Sequence, residues 1–230
     1  MSEEESFLAK TGLQFFGRMS ASVTHEIKNV LAIINENAGL LEDIVLMAEN
    51  GPDISPERLQ RLAQTVGAQV GRADAVVKMM NHFSHSIDHF VEPVDLTQVA
   101  TDVCDLFDRL LQMRRVTLET IAPPEPVVVT ASRFYLQNLL WCCLDWATGI
   151  RSEKRTISLA PEKMDNGARV RIAGLADLDK DALGLFPSPQ EDALLDALGA
   201  RLDFSVADGE IIISFINDQS YHLNKGERNV

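Results

Sequence analysis

Phe15-Phe16-Gly17-Arg18-Met19-Ser20-Ala21-Ser22-Val23-Thr24-His25-Glu26-Ile27-Lys28-Asn29-Val30-Leu31 opens a helical pattern that continues well beyond it. Apolar residues recur at Phe16, Val23, Ile27, Val30, Ile34, Leu41 and Ile44, mostly three, four or seven apart, which is the seam of a helix packed in a bundle. His25 lies two positions from both Val23 and Ile27. At about 100° per residue it therefore points away from the seam, as a solvent-facing imidazole on a rigid helix. Glu26 and Lys28 stand close to it, and Asn29 follows one turn later on the same face. The pattern predicts a helix from around Ser6 to Glu49, stopped by the turn cluster Asn50-Gly51-Pro52-Asp53. A second helix then starts with Ser55 as cap, Pro56 in the first helical position and Glu57 in the first turn. Its seam reads Leu59, Leu62, Val66, Ala73, Val76, Met80, Phe83 and Ile87. Two such helices make an antiparallel hairpin that cannot bury both stripes alone. Pairing two hairpins in a four-helix bundle does so, which predicts a homodimer.

Composition narrows the partners. The chain has 230 residues, 46% hydrophobic and 24% charged, as expected of a globular protein large enough for two small domains. Twenty-one basic residues against thirty-four acidic ones give a net charge of −13, which argues against nucleic acid or an anionic membrane as partner. The start, Met1-Ser2-Glu3-Glu4-Glu5, is acidic where a secretory signal is basic, and no run reaches the ~20 apolar residues of a membrane span. Cys104, Cys142 and Cys143 have neither metal spacing nor an even count, which suits a reducing cytoplasm. His82, His85 and His89 recur at helical spacing, but no thiol or carboxylate completes a ligand set, so no metal site is expected.

Glu92-Pro93-Val94 reads as a linker, dividing the chain into residues 1–91 and 92–230. Asp95-Leu96-Thr97 begins a helix carrying Val99, Val103, Phe107 and Leu111. Strands are expected at Val116–Ile121, Val127–Thr130, Thr156–Leu159 and Ala168–Ala173, and helices near Ser132–Thr148 and Gln190–Leu198. A final hairpin joins Arg201–Val206 to Glu210–Ile216 through Asp208-Gly209. This order predicts an α/β sandwich with helices on one face of a mixed sheet, and so an α+β chain overall. The tail from Asn217 is polar.

Thr24-His25-Glu26-Ile27-Lys28-Asn29 resembles the H-box of two-component histidine kinases, H-E-x-x-N before an apolar run. Val30 stands where that family usually has proline. Val77–His85 is similar to the end of the family's second hairpin helix, and Arg133–Ala147 resembles the helix that ends in its N-box. The resemblance implies a dimeric four-helix bundle followed by a degenerate ATP-binding-type sandwich. It implies that His25 accepts a phosphoryl group; beside it, the Glu26 carboxylate can hold the other ring N–H, Lys28 either steers phosphoryl oxygens or stands solvated, and Asn29 lies one turn away. Few residues precede the motif, so no sensory domain of its own is expected.

The second domain departs from the family's nucleotide boxes. The Asn that holds the nucleotide's Mg²⁺ falls on Asp145, the next small residue becomes Trp146, and an earlier Asn becomes Trp141. Val170–Asp179 lacks the Asp-x-Gly-x-Gly spacing. Pro187-Ser188-Pro189-Gln190-Glu191-Asp192 replaces a glycine loop whose amides cradle phosphate, and its two carboxylates repel a triphosphate. No other phosphate-loop motif exists in the chain. The expectation is a phosphorelay histidine phosphotransferase that binds no cofactor. It passes a phosphoryl group between the aspartates of response-regulator receiver domains, which bring the Mg²⁺. The alternatives are a phosphatase acting on a receiver's aspartyl phosphate, a non-catalytic pseudokinase scaffold, and a divergent ATP-dependent histidine kinase.

Overall fold

The computed structural model describes residues 3–49, 51, 54–112, 114–149, 155–175 and 186–216. It is a mixed α+β structure, helical at its start and built on a five-stranded sheet thereafter. Two compact units form: residues 16–85, and residues 1–15 together with 86–230. No helix among the described residues is long and apolar enough to cross a membrane.

The first unit is the hairpin of α1 (Glu3–Glu49), from Phe16 onward, and α2 (Pro56–His85). The start of α2 follows its sequence signals: Ser55 donates its hydroxyl to Glu57 at 2.5 Å, and the Ser55 carbonyl accepts from the Arg58 and Leu59 amides. Val23, Val30, Ile44 and Phe83 are buried, as the seams require. Phe16 stacks on Phe83 with ring centroids 5.6 Å apart, which fixes the antiparallel register at the open end of the hairpin. Ile87, read as the end of the second seam, lies beyond α2 and is exposed. Part of the turn cluster, Asn50, Pro52 and Asp53, lies outside the described residues, as does the tail from Asn217.

The second unit is an α/β layer. Its elements are β1 (Glu92–Asp95), α3 (Leu96–Gln112), β2 (Val116–Thr120), β3 (Val128–Ala131), α4 (Arg133–Gly149), β4 (Arg155–Met164), β5 (Gly167–Ala173), α5 (Pro189–Leu198), β6 (Ala200–Ser205) and β7 (Glu210–Ile216). The main sheet runs β2-β4-β5-β7-β6, parallel between β2 and β4 and antiparallel elsewhere. One face is apolar, with Ile157, Leu159, Val170, Ile172, Ile211 and Ile213 buried, and α3 packs against β2 and β4 while α4 bridges α3 and α5. The opposite face carries charge: Glu162 receives hydrogen bonds from Arg169 and Arg171 at 2.7 Å each, and Arg171 also reaches Glu210 at 2.6 Å.

Two elements differ from their reading in the sequence. Glu92-Pro93-Val94, taken as linker, forms strand β1 together with Asp95, paired antiparallel with β3 from Glu92↔Ala131 to Asp95↔Val128. A two-stranded sheet has an open edge on each strand, so Pro93 can sit there without removing a needed donor. β4 also continues past the expected Leu159, through Pro161 to Met164. Pairing with β2 ends at Leu159, so the Pro161 nitrogen faces no neighbouring strand.

The first turns of α1 belong to this unit. Phe15 packs on Phe107 and Phe134, at 6.2 and 5.5 Å between centroids, and Phe107 packs on Trp141 at 4.5 Å. Gly12 permits the approach, since a Cβ there would lie 3.1 Å from the Phe134 ring.

Candidate functional site

On α1 the helical period sorts the candidate residues by face. His25, Lys28, Asn29 and Ala32 are exposed, whereas Glu26 turns toward α2 and is partly buried. The Glu26 carboxylate meets the Arg72 guanidinium of α2 at 2.5 Å, with side-chain exposures of 13% and 57% respectively. A carboxylate removed this far from water needs a charged or hydrogen-bonding partner, and Arg72 supplies one. Arg72 is the residue that motif reading missed. The available signal was the hairpin register: stepping from Phe16 to Glu26 on α1 and back by nearly the same number of residues from Phe83 on α2 arrives at Arg72.

In the α/β unit, Asp145, Trp146 and Trp141 each have partners within the chain. Asp145 on α4 pairs with Arg114 at 2.7 Å, and Arg114 also donates to the Thr148 hydroxyl at 2.6 Å and to the Asp145 carbonyl at 3.2 Å. A guanidinium thus sits on the Asp145 carboxylate. Trp146 stacks on Phe186 at 4.8 Å and meets Phe204 edge-on at 6.0 Å. Trp141 instead points into the buried layer against Phe107. Beside it on α4, Gln137 and Asn138 are buried, and the Gln137 carbonyl oxygen and Asn138 amide nitrogen lack a protein hydrogen-bond partner.

The N-terminus of α5 closes on itself. Ser188 accepts from the Gln190 amide at 3.3 Å, while the Glu191 carboxylate accepts the Ser188 amide at 2.8 Å and the Ser188 hydroxyl at 2.5 Å. This is a capping box with Pro189 at the first helical position. Glu191 is buried, so a fixed negative charge already occupies the end of the helix dipole that attracts anions. Burial pushes the neighbouring Cys143 thiol well above its ordinary pKa, with Cys142 and Glu191 adding to the effect. The Asp177–Asp179 part of the compared glycine box lies outside the described residues. Among the described residues no group of three His, Cys, Asp or Glu side chains is placed to hold a metal, and His82, His85 and His89 form no such group.

No protein-family model matches the chain, and no curated protein matches it. Solved structures do. The Acinetobacter baumannii histidine kinase AdeS is 15% identical, with 85% of this chain and 98% of that one covered and a TM-score of 0.46. The histidine kinase ThkA, solved in complex with the response regulator TrrA, is 18% identical over 89% of this chain and 62% of that one, with a TM-score of 0.43. The cytoplasmic segment of the histidine kinase QseC is 15% identical over 65% of this chain and 95% of that one, with a TM-score of 0.42.

Proposed function

We propose that this chain is a histidine phosphotransferase, taking a phosphoryl group from the aspartate of one response-regulator receiver domain onto His25 and passing it to another. The observation that carries the reading is a contrast within the chain: His25 stands exposed on α1, whereas the α5 N-terminus is filled by the buried carboxylate of Glu191. An exposed acceptor imidazole in a chain whose candidate phosphate cradle is closed fits a protein that receives its phosphoryl group from another protein. The Arg114–Asp145 pair and the Trp146–Phe186–Phe204 cluster support the same conclusion.

In the proposed step the lone pair of a neutral His25 ring nitrogen attacks the phosphorus of an aspartyl phosphate. An N–P bond forms, the acyl O–P bond breaks, and the receiver's carboxylate leaves with the electron pair. The ring becomes a phosphoimidazolium whose positive charge the nearby Glu26 favours. Catalysis of this kind is mainly positioning and charge neutralisation, and the receiver's Mg²⁺ supplies charge neutralisation at the phosphoryl oxygens. Lys28, exposed beside the acceptor, steers those oxygens, and Asn29 lies one turn away on the same face. The relay runs in a reducing cytoplasm, the compartment suited to three cysteines with neither metal spacing nor an even count.

The test is incubation with a panel of phosphorylated receiver domains, scoring acid-labile label on this chain. Label on the wild type and none on His25→Ala is expected. Receiver dephosphorylation without any phosphohistidine would favour the phosphatase, and activity unaltered in His25→Ala would favour the scaffold. Mg-ATP at millimolar concentration is expected to leave tryptophan fluorescence unchanged. Saturable quenching together with label from ATP on His25 would replace this reading with the kinase.

A further inference from the structure

The function proposed for His25 leaves an electrostatic difficulty in the hairpin. The incoming phosphoryl group is a dianion, and Glu26, next to the acceptor in sequence, carries a negative charge that repels it. Arg72 lies on the other helix with its guanidinium on that carboxylate. We infer that Arg72 is a positioning residue for the transfer: it neutralises Glu26 and holds it against α2, so that the phosphoryl dianion meets a compensated pair instead of a bare carboxylate.

The exposures of the two side chains support this assignment over a decorative surface pair. Glu26 is largely withdrawn from water and so poorly screened, while Arg72 is more than half exposed and bound to Glu26 at a charge-assisted distance. A cation on the same helix as His25 would keep its place whatever the position of α2. Arg72 instead ties the charge state of the acceptor's neighbour to the α1–α2 register, which Phe16 and Phe83 also set. The hairpin thereby supplies part of the electrostatics of the acceptor site.

This inference rests on the phosphotransferase reading, and a double-mutant cycle tests it separately from that reading. Arg72→Gln is expected to slow transfer at saturating phosphorylated receiver by about tenfold with little change in the half-saturating receiver concentration, while Arg72→Lys, which keeps the charge, retains most of the rate. Glu26→Gln removes the carboxylate that Arg72 compensates, so adding Arg72→Gln to it is expected to change nothing further. The same four proteins are treated with phosphoramidate, a small phosphoryl donor that needs no receiver, and N-phosphorylation of His25 is followed by mass. If the wild type takes label from phosphoramidate but from no receiver, the relay reading fails and the phosphoramidate cycle alone decides Arg72. A wild-type rate in Arg72→Gln, or an equal loss with and without Glu26, would overturn the inference. Far-ultraviolet dichroism confirms that each variant keeps its helices.

Discussion

At the scale of single residues, what could be read in advance was whatever depends on local period. His25 falls outside the seam of α1 by counting alone, and it is exposed. Glu26 lies one step nearer the seam, which is why it is half-buried and paired across the hairpin. Arg72 and Arg114 escaped the sequence because their partners lie on other elements, and those partnerships depend on register and packing that no local spacing encodes. The α5 cap was half legible: its carboxylates were visible as repulsive to phosphate, but their closure onto Ser188 was not. Ser188→Ala is expected to lower stability by about 1 kcal/mol in urea denaturation, the usual loss for an N-cap. Glu191→Ala is expected to lower it further, since the Ser188 amide then loses its carboxylate acceptor. An unchanged midpoint in Ser188→Ala would show the cap to be dispensable.

Among the elements, most strands with clear alternation and helices with clear period were legible nearly to their ends, whereas the far half of β4 and the whole of β1 were not. Four residues containing a proline carry too little pattern, and their strand character comes from pairing with β3, more than thirty residues away. The turn after α3 holds Arg115 at a φ of 59°, a left-handed conformation that disfavours a side chain. Arg115→Gly is expected to raise stability by about 0.5 kcal/mol, read as a higher urea midpoint. The charged face of the sheet makes a pH prediction. Burial raises the Glu162 carboxyl, but hydrogen bonds and charge from Arg171 and Arg169 outweigh that and hold it below its ordinary value. A carboxylate depressed in the folded state stabilises above its unfolded pKa and loses that contribution as pH falls through the folded one. Acidifying below about pH 4.5 should therefore lower the melting temperature of wild type more than that of Glu162→Gln, with solvent screening keeping the difference modest. Parallel acid limbs in the two proteins would count against it.

For the whole molecule the expectation is a dimer through the hairpin, carried by apolar residues that one hairpin leaves exposed: Leu31, Leu41 and Val45 on α1, and Val70 and Val77 on α2. Of these, only Leu41 belongs to the seams read from the sequence, while Leu31, Val45, Val70 and Val77 stand beside those seams and are distinguished by their exposure. That exposure decides which substitution is informative. Val30 is 1% exposed within a single chain, so aspartate there is expected to melt the hairpin. Leu31, 55% exposed, is the better probe: Leu31→Asp combined with Val77→Asp is expected to give a helical monomer in sedimentation at micromolar concentration. A wild type already monomeric there would remove the dimer. A different consequence follows from the first turns of α1 packing against Phe107 and Phe134. On the ribosome, the hairpin has all of its residues once α2 has emerged, but the α/β unit must wait for β7. At about 5–20 residues per second that delay is on the order of ten seconds. Phe15, made early, has no ring to pack against until Phe107 and Phe134 follow it out, and the unit that holds all three is complete only when its last strand arrives.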